Sequence, residues 1–161
     1  MARRYMTILG RSCWALVNAY YAAVRQKGYL PETVAIFAEA GMAQELETVS
    51  DAIATISEKY GGTTEVTNLT VREGDFIEAG KTIFSMIRSW KDAGDEVAVD
   101  ITSGRKALVV GAITPLCRIE VDHIFYLQID EIEGASKPFM MIPLGRQKLR
   151  DFAEEARGHR E

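Results

Sequence analysis

The strongest constraint on this chain is the regular alternation of short β-prone runs with longer helical stretches. YMTIL (5–9), the run from Thr33 to Ala38, TEVTNLTV (64–71), EVAVDI (96–101) and HIFYLQI (123–129) are rich in β-branched and aromatic residues. Runs of this length and composition read as strands. Helical stretches fall between them. The first spans about 13–27 and stops at Gly28. The second, 42–60, repeats Met42, Leu46, Val49, Ile53 and Ile56 at helical spacing before Gly61-Gly62. The third, about 75–92, carries Phe76, Ile77, Ile83, Phe84 and Ile87, and the fourth runs from near Ser103 to around Pro115–Cys117. PFMMIPL (138–144) is the sixth expected strand, and the polar residues 145–161 are expected to be a C-terminal helix or tail.

Alternation with short links implies a parallel sheet covered on both faces. The expected class is therefore α/β: a doubly wound, mostly parallel six-stranded Rossmann-like sheet over residues 1–144. In the common strand order 3-2-1-4-5-6, strands 1 and 4 are neighbours and the chain direction reverses between them. Ligands bind beyond the carboxyl ends of those two strands. Two loops then matter most: LGRSCW after strand 1 and DITSGRK after strand 4.

Composition narrows the classes further. A chain of 161 residues suits one domain with a full core. Its net charge of −4 argues against general coating of long nucleic acid. No apolar run approaches the roughly 20 residues of a membrane span. The basic start MARRYMTIL lacks a long apolar region and a cleavage pattern, so no export signal is read. Cys13 and Cys117 read as reduced core thiols of a cytoplasmic protein, with a disulfide as the alternative. His123 and His159 are the only histidines and lie far apart, and no Cys/His cluster has metal-ligand spacing. No metal or cofactor is expected.

In the second loop, Thr102 or Ser103 can cap the following helix, and Gly104 permits close approach of backbone. Arg105 and Lys106 then place two cations at a helix start, which already favours anions. Phosphate is the natural partner of such a pair, since Arg binds it bidentately and Lys as a compact charge. The bland reading has both side chains bending into solvent or pairing with an acid such as Asp100. The switch-point position favours phosphate for Lys106 and leaves Arg105 evenly divided. In the first loop, Gly10 and Arg11 precede Ser12, a natural helix cap whose hydroxyl could also hold a phosphate oxygen. Trp14 could stack on a base or pack half-buried, and Asn18 could reach the same crevice.

Familiar signatures are missing. There is no GxGxxG after strand 1, no GxxxxGK[ST], and no GxSxG elbow. A dinucleotide cofactor, a P-loop nucleotidase and a serine hydrolase are disfavoured. Neither His is placed to activate Ser12, and Asp100 and Asp130 form no convincing dyad.

The pair TILGRSCWALVNAYYAAV and VDITSGRKALVVGA resembles the CARF family, the CRISPR-associated Rossmann-fold domains. Asp100, Thr102, Gly104 and Lys106 fit a D-x-[ST]-x-G-x-K-type second-loop motif, and Ser12 fits the small or hydroxyl residue of the first loop. The likeness covers residues 1 to about 143. It implies a homodimer that binds cyclic oligoadenylate, the messenger of type III CRISPR systems, across its two-fold axis. Many members join this sensor to an effector domain, for which the residues after the last expected strand leave no room. The resemblance then points to stand-alone ring nucleases, with Ser12 and Lys106 as the catalytic positions; Gly10, Arg11, Trp14, Asn18, Thr102, Ser103, Gly104 and Arg105 are the ligand-lining candidates read from the two loops. Two other readings stay open: a sensor that binds without cutting, and a sensor domain cut from a longer protein.

Overall fold

The computed structural model describes residues 1–116, 119–130 and 132–158; Cys117 and His159 lie outside them. Six strands form one sheet: β1 Arg3–Ile8, β2 Thr33–Glu39, β3 Glu65–Val71, β4 Glu96–Asp100, β5 His123–Ile129 and β6 Gln147–Asp151. Their order is β3-β2-β1-β4-β5-β6, the doubly wound order expected. All neighbouring pairs are parallel except β5 and β6, which are antiparallel. Helices α1 Cys13–Lys27, α2 Ala43–Lys59, α3 Phe76–Asp92 and α4 Lys106–Leu116 are the crossovers. A short α5, Phe152–Gly158, follows β6.

The two-residue period of the central strands builds both cores. On β2, Val34, Ile36 and Ala38 face the cluster that holds Leu16, Ala19, Val49 and Ile53 of α1 and α2. Ala35 and Phe37 face the opposite cluster, with Ile83, Ile87, Leu108 and Ala112 of α3 and α4. Strands buried on both faces read as continuous apolar runs, which is why they were visible in the sequence. Helix ends follow their local chemistry. Ser12 caps α1 by accepting from the Ala15 N–H at 3.2 Å, and Gly28 closes it at φ 63°, where its N–H reaches the Ala23 carbonyl. Asp75 caps α3 by accepting from the Glu78 N–H. Helices α3 and α4 touch backbone to backbone: a Cβ on Gly80 would lie 2.2 Å from the Gly111 carbonyl oxygen, and one on Gly111 would lie 2.8 Å from that of Phe76.

One element differs from expectation. PFMMIPL is not a strand; it carries two short 3-10 turns, Phe139–Met141 and Leu144–Arg146. Pro138 and Pro143 begin these turns, and a proline cannot donate to a strand ladder. The sixth strand is Gln147–Asp151, inside the segment expected to be a tail. It is an edge strand in which Gln147, Leu149 and Asp151 are buried while Lys148 is exposed. Two of its three buried side chains are polar, so hydrophobic alternation did not reveal it. None of the described helices is long and apolar enough to cross a membrane.

Candidate functional site

The loops after β1 and β4 meet at the carboxyl end of the sheet. The Gly10 N–H donates to Ser103 Oγ at 2.9 Å, and that hydroxyl lies 3.5 Å from the Ser12 carbonyl oxygen. Contact is close enough to demand glycine. A Cβ on Gly10 would sit 2.7 Å from the Gly104 nitrogen. Gly104 has φ 88°, and a Cβ there would meet Val109 at 2.9 Å and Ile8 at 3.0 Å. Gly10, Ser12, Ser103 and Gly104 are thus brought together, with Ser103 as the buried tie rather than an open ligand group.

Beneath this crossing lies Asp100, fully buried at the end of β4. Its Oδ2 accepts from the Thr7 hydroxyl at 2.8 Å. Its Oδ1 accepts from the Thr102 N–H at 3.0 Å and the Thr102 hydroxyl at 2.6 Å. Burial pushes its carboxyl up to about 6, while these donors hold the rise back. The Thr102 hydroxyl in turn accepts from the Leu127 N–H at 2.8 Å and so ties the β4 loop to β5. Thr102 is spent inside the fold, and it does not cap α4, whose first residue is Lys106.

The cations divide. Arg105 reaches across β1 to β2, where its Nη1 lies 3.0 and 3.2 Å from the two carboxylate oxygens of Glu39. The pairing acid is therefore Glu39, not Asp100. Arg11 and Lys106 are exposed, and neither has an ion-pair partner among the described residues. Val110, one turn beyond Lys106 and on the same side of α4, is 62% exposed. Trp14 is 42% exposed at the start of α1. Asn18 does not reach the crevice: it is buried, and its amide donates to the Lys137 carbonyl at 2.8 Å, pinning the segment before β6. Cys13 is partly buried against the α1-side core, and burial raises its thiol.

Sequence reasoning missed Glu39. Its signal was present, since an acid closes the otherwise apolar run TVAIFA at the strand end beside β1. A cleft of about 240 Å³ opens there, lined by Leu9, Arg11, Ala40 and Met42 together with Glu39 and Arg105. Among the described residues no group of three or more His, Cys, Asp or Glu side chains is arranged to hold a metal ion.

An α/β sheet with a crevice at its switch point is the class this geometry defines. No family model matches the chain, and no curated protein matches it. Solved structures do. Can2 from Sulfobacillus thermosulfidooxidans, in complex with cyclic tetra-adenylate, aligns at TM-score 0.56 and 14% identity over 77% of this chain and 31% of its own. A type III CRISPR defence DNA nuclease activated by cyclic oligoadenylate aligns at TM-score 0.63 and 15% identity, over 81% of this chain and 19% of its own. Csm6 of Enterococcus italicus, bound to cyclic hexa-2'-fluoro-hexa-dAMP, aligns at TM-score 0.58 and 15% identity, over 97% and 43%. The chain spans less than half the length of each. What they share with it is the doubly wound arrangement of sheet and helices.

Proposed function

We propose that this protein binds cyclic oligoadenylate, of four adenylates by preference, across a homodimer and cleaves it without metal, switching off type III CRISPR signalling. The observation that carries this reading is the pair of exposed cations, Arg11 and Lys106, without ion-pair partners among the described residues at the rim of the Gly10–Gly104 crossing. Anions are favoured there because α4 begins at Lys106. The fold shared with chains solved with such rings supports the choice of ligand. One subunit offers a single copy of each basic loop, and a second copy supplies the rest of a multiply charged ring. The exposed Val110 beside Lys106 suits a contact between copies.

In the reaction, the ribose 2′-hydroxyl attacks its own 3′-phosphate, the P–O5′ bond breaks, the hydroxyl proton passes by way of solvent to the departing 5′-oxygen, and a 2′,3′-cyclic phosphate results. Lys106 stabilises the extra charge of the phosphorane, and Ser12 positions the reacting group in alternation with its capping role. Positioning contributes several kcal/mol, and a preorganised donor about 3–4 kcal/mol. A sensor that does not cut is the second reading. It is favoured by Ser12, whose hydroxyl already accepts from the Ala15 N–H as the cap of α1.

Incubation with cyclic tetra-adenylate and a chelator decides between them. Linear products ending in 2′,3′-cyclic phosphate are expected; a bound but intact ring selects the sensor. Sedimentation should give a dimer, and a monomer at micromolar concentration with ligand present removes the two-fold arrangement.

A further inference from the structure

The cleft beside the crossing has a chemistry of its own. Glu39, at the end of β2, is 7% exposed, yet its carboxylate faces a space of about 240 Å³. That volume is below the roughly 300–1,000 Å³ of a whole-ligand pocket and fits one part of a ligand. Leu9, Ala40 and Met42 give it apolar walls. Glu39 Oε1 accepts from the Gly74 N–H at 3.3 Å and from Arg105, so it is held from two sides. Oε2 takes a single contact, from Arg105 Nη1 at 3.0 Å. Arg105 makes its contacts to Glu39 and Glu73 through Nη1, and its Nη2 and Nε have no partner among the described residues. The edge presented is an acceptor beside a donor.

We infer that this cleft is a nucleobase subsite that selects bases with an exocyclic amine, with Glu39 accepting from the amine and Arg105 donating to the adjacent ring nitrogen. Adenine offers that donor–acceptor edge. Hypoxanthine inverts it, with an oxo group and a ring N–H, and would leave the carboxylate facing an oxygen. Mispaired buried groups reject an analogue far more strongly than lost apolar contact does. The Glu39–Arg105 pair thus stands as a specificity determinant, and this rests on the ring-binding reading above.

The test compares cyclic tetra-adenylate with cyclic tetra-inosinate in equilibrium binding to the full chain. The wild type should prefer the adenylate ring by about 10- to 100-fold, the discrimination of a good two-point base contact. Glu39→Gln, whose amide can donate to the oxo group, should shrink or reverse that preference. Equal binding of both rings by the wild type, or an unchanged preference in Glu39→Gln, overturns the assignment while leaving ring binding intact. Binding of neither ring overturns the ring reading and this subsite together. If Glu39→Gln does not fold, Ala40→Trp decides, because Ala40 is exposed and lines the cleft, so tryptophan there takes up its space while both charged residues are kept. A tenfold or greater loss of adenylate-ring affinity supports the subsite, and wild-type affinity overturns it.

Discussion

The two ends of the sheet treat their charges in opposite ways. At the amino end, cations and anions are matched within the fold. Arg3 pairs with Glu96 at 3.0 Å, Arg4 with Asp95 at 2.8 Å and Lys91 with Asp122 at 2.7 Å. His123 sits between Asp151 at 2.6 Å and Glu96 at 3.1 Å, and stacks on Phe125. At the crossing of the β1 and β4 loops, Arg105 is matched, while Arg11 and Lys106 have no ion-pair partner among the described residues and stand beside backbone held at glycine distance. Ion pairs of partly exposed groups contribute about 0–1 kcal/mol each, so the amino-end set ties neighbouring elements and asks for nothing more. An unmatched cation at a switch point is a different kind of feature, because among the described residues the fold supplies it no carboxylate.

The sharpest way to break this contrast is to remove one lysine from each end. Lys106→Ala should slow single-turnover ring cleavage at saturating protein by about 100- to 1,000-fold, the usual loss for a donor at developing charge. Lys91→Ala should leave that rate unchanged. Equal effects would erase the distinction between the ends, and wild-type cutting by Lys106→Ala would leave Lys106 a binding residue only.

Thr102→Val probes the carboxyl-end scaffold without touching a cation. It removes the hydroxyl that donates to Asp100 and accepts from Leu127, leaving the Leu127 N–H unpaired. A stability loss of about 1–3 kcal/mol follows from an orphaned buried group, measurable as a lower urea midpoint. Ser12→Ala should cost about 1 kcal/mol through the lost cap, again in urea, together with slower cleavage. A variant as stable as wild type would mean the cap is not what holds the start of α1.

The smallest effect belongs to the amino end and is read in pH. The Asp151 hydrogen bond, with that of Glu96, raises the His123 imidazole above its usual value, against partial burial. A raised folded value means the stability from protonated His123 is complete below its unfolded value of about 6.5. That stability is lost as pH rises through the folded value. His123→Gln should therefore flatten the fall in stability just above pH 6.5. Asp100 contributes in a separate window: its carboxyl, raised to about 6, costs stability as pH rises from about 4 to 6. A fall above pH 6.5 that persists in His123→Gln would assign it to another group.

The frame was legible because its physics is local and repetitive. Apolar strands β1, β2 and β4, with helical spacing between them, announced both the sheet and its switch point. The crossing itself was half legible. Gly10, Ser12 and Gly104 were singled out one by one, but the tie through Ser103 is a contact between residues far apart in sequence, which no local pattern carries. Arg105 shows the same limit, since its partner Glu39 lies on another strand. Asn18, a helical turn from Trp14, was placed on the crevice by spacing alone, whereas burial turns it toward Lys137. β6 escaped because its inward face uses Gln147 and Asp151, whose partners are the Phe139 and Ile142 carbonyls and His123.

The close seam between Gly80 and Gly111 has a mechanical meaning. At that seam backbone rests on backbone with no side chain between, and the two helices are laminated there into one beam. Lys106 stands at the head of that beam. A side chain forced in at Gly80 or Gly111 is therefore expected to displace both helices together, and Lys106 with them.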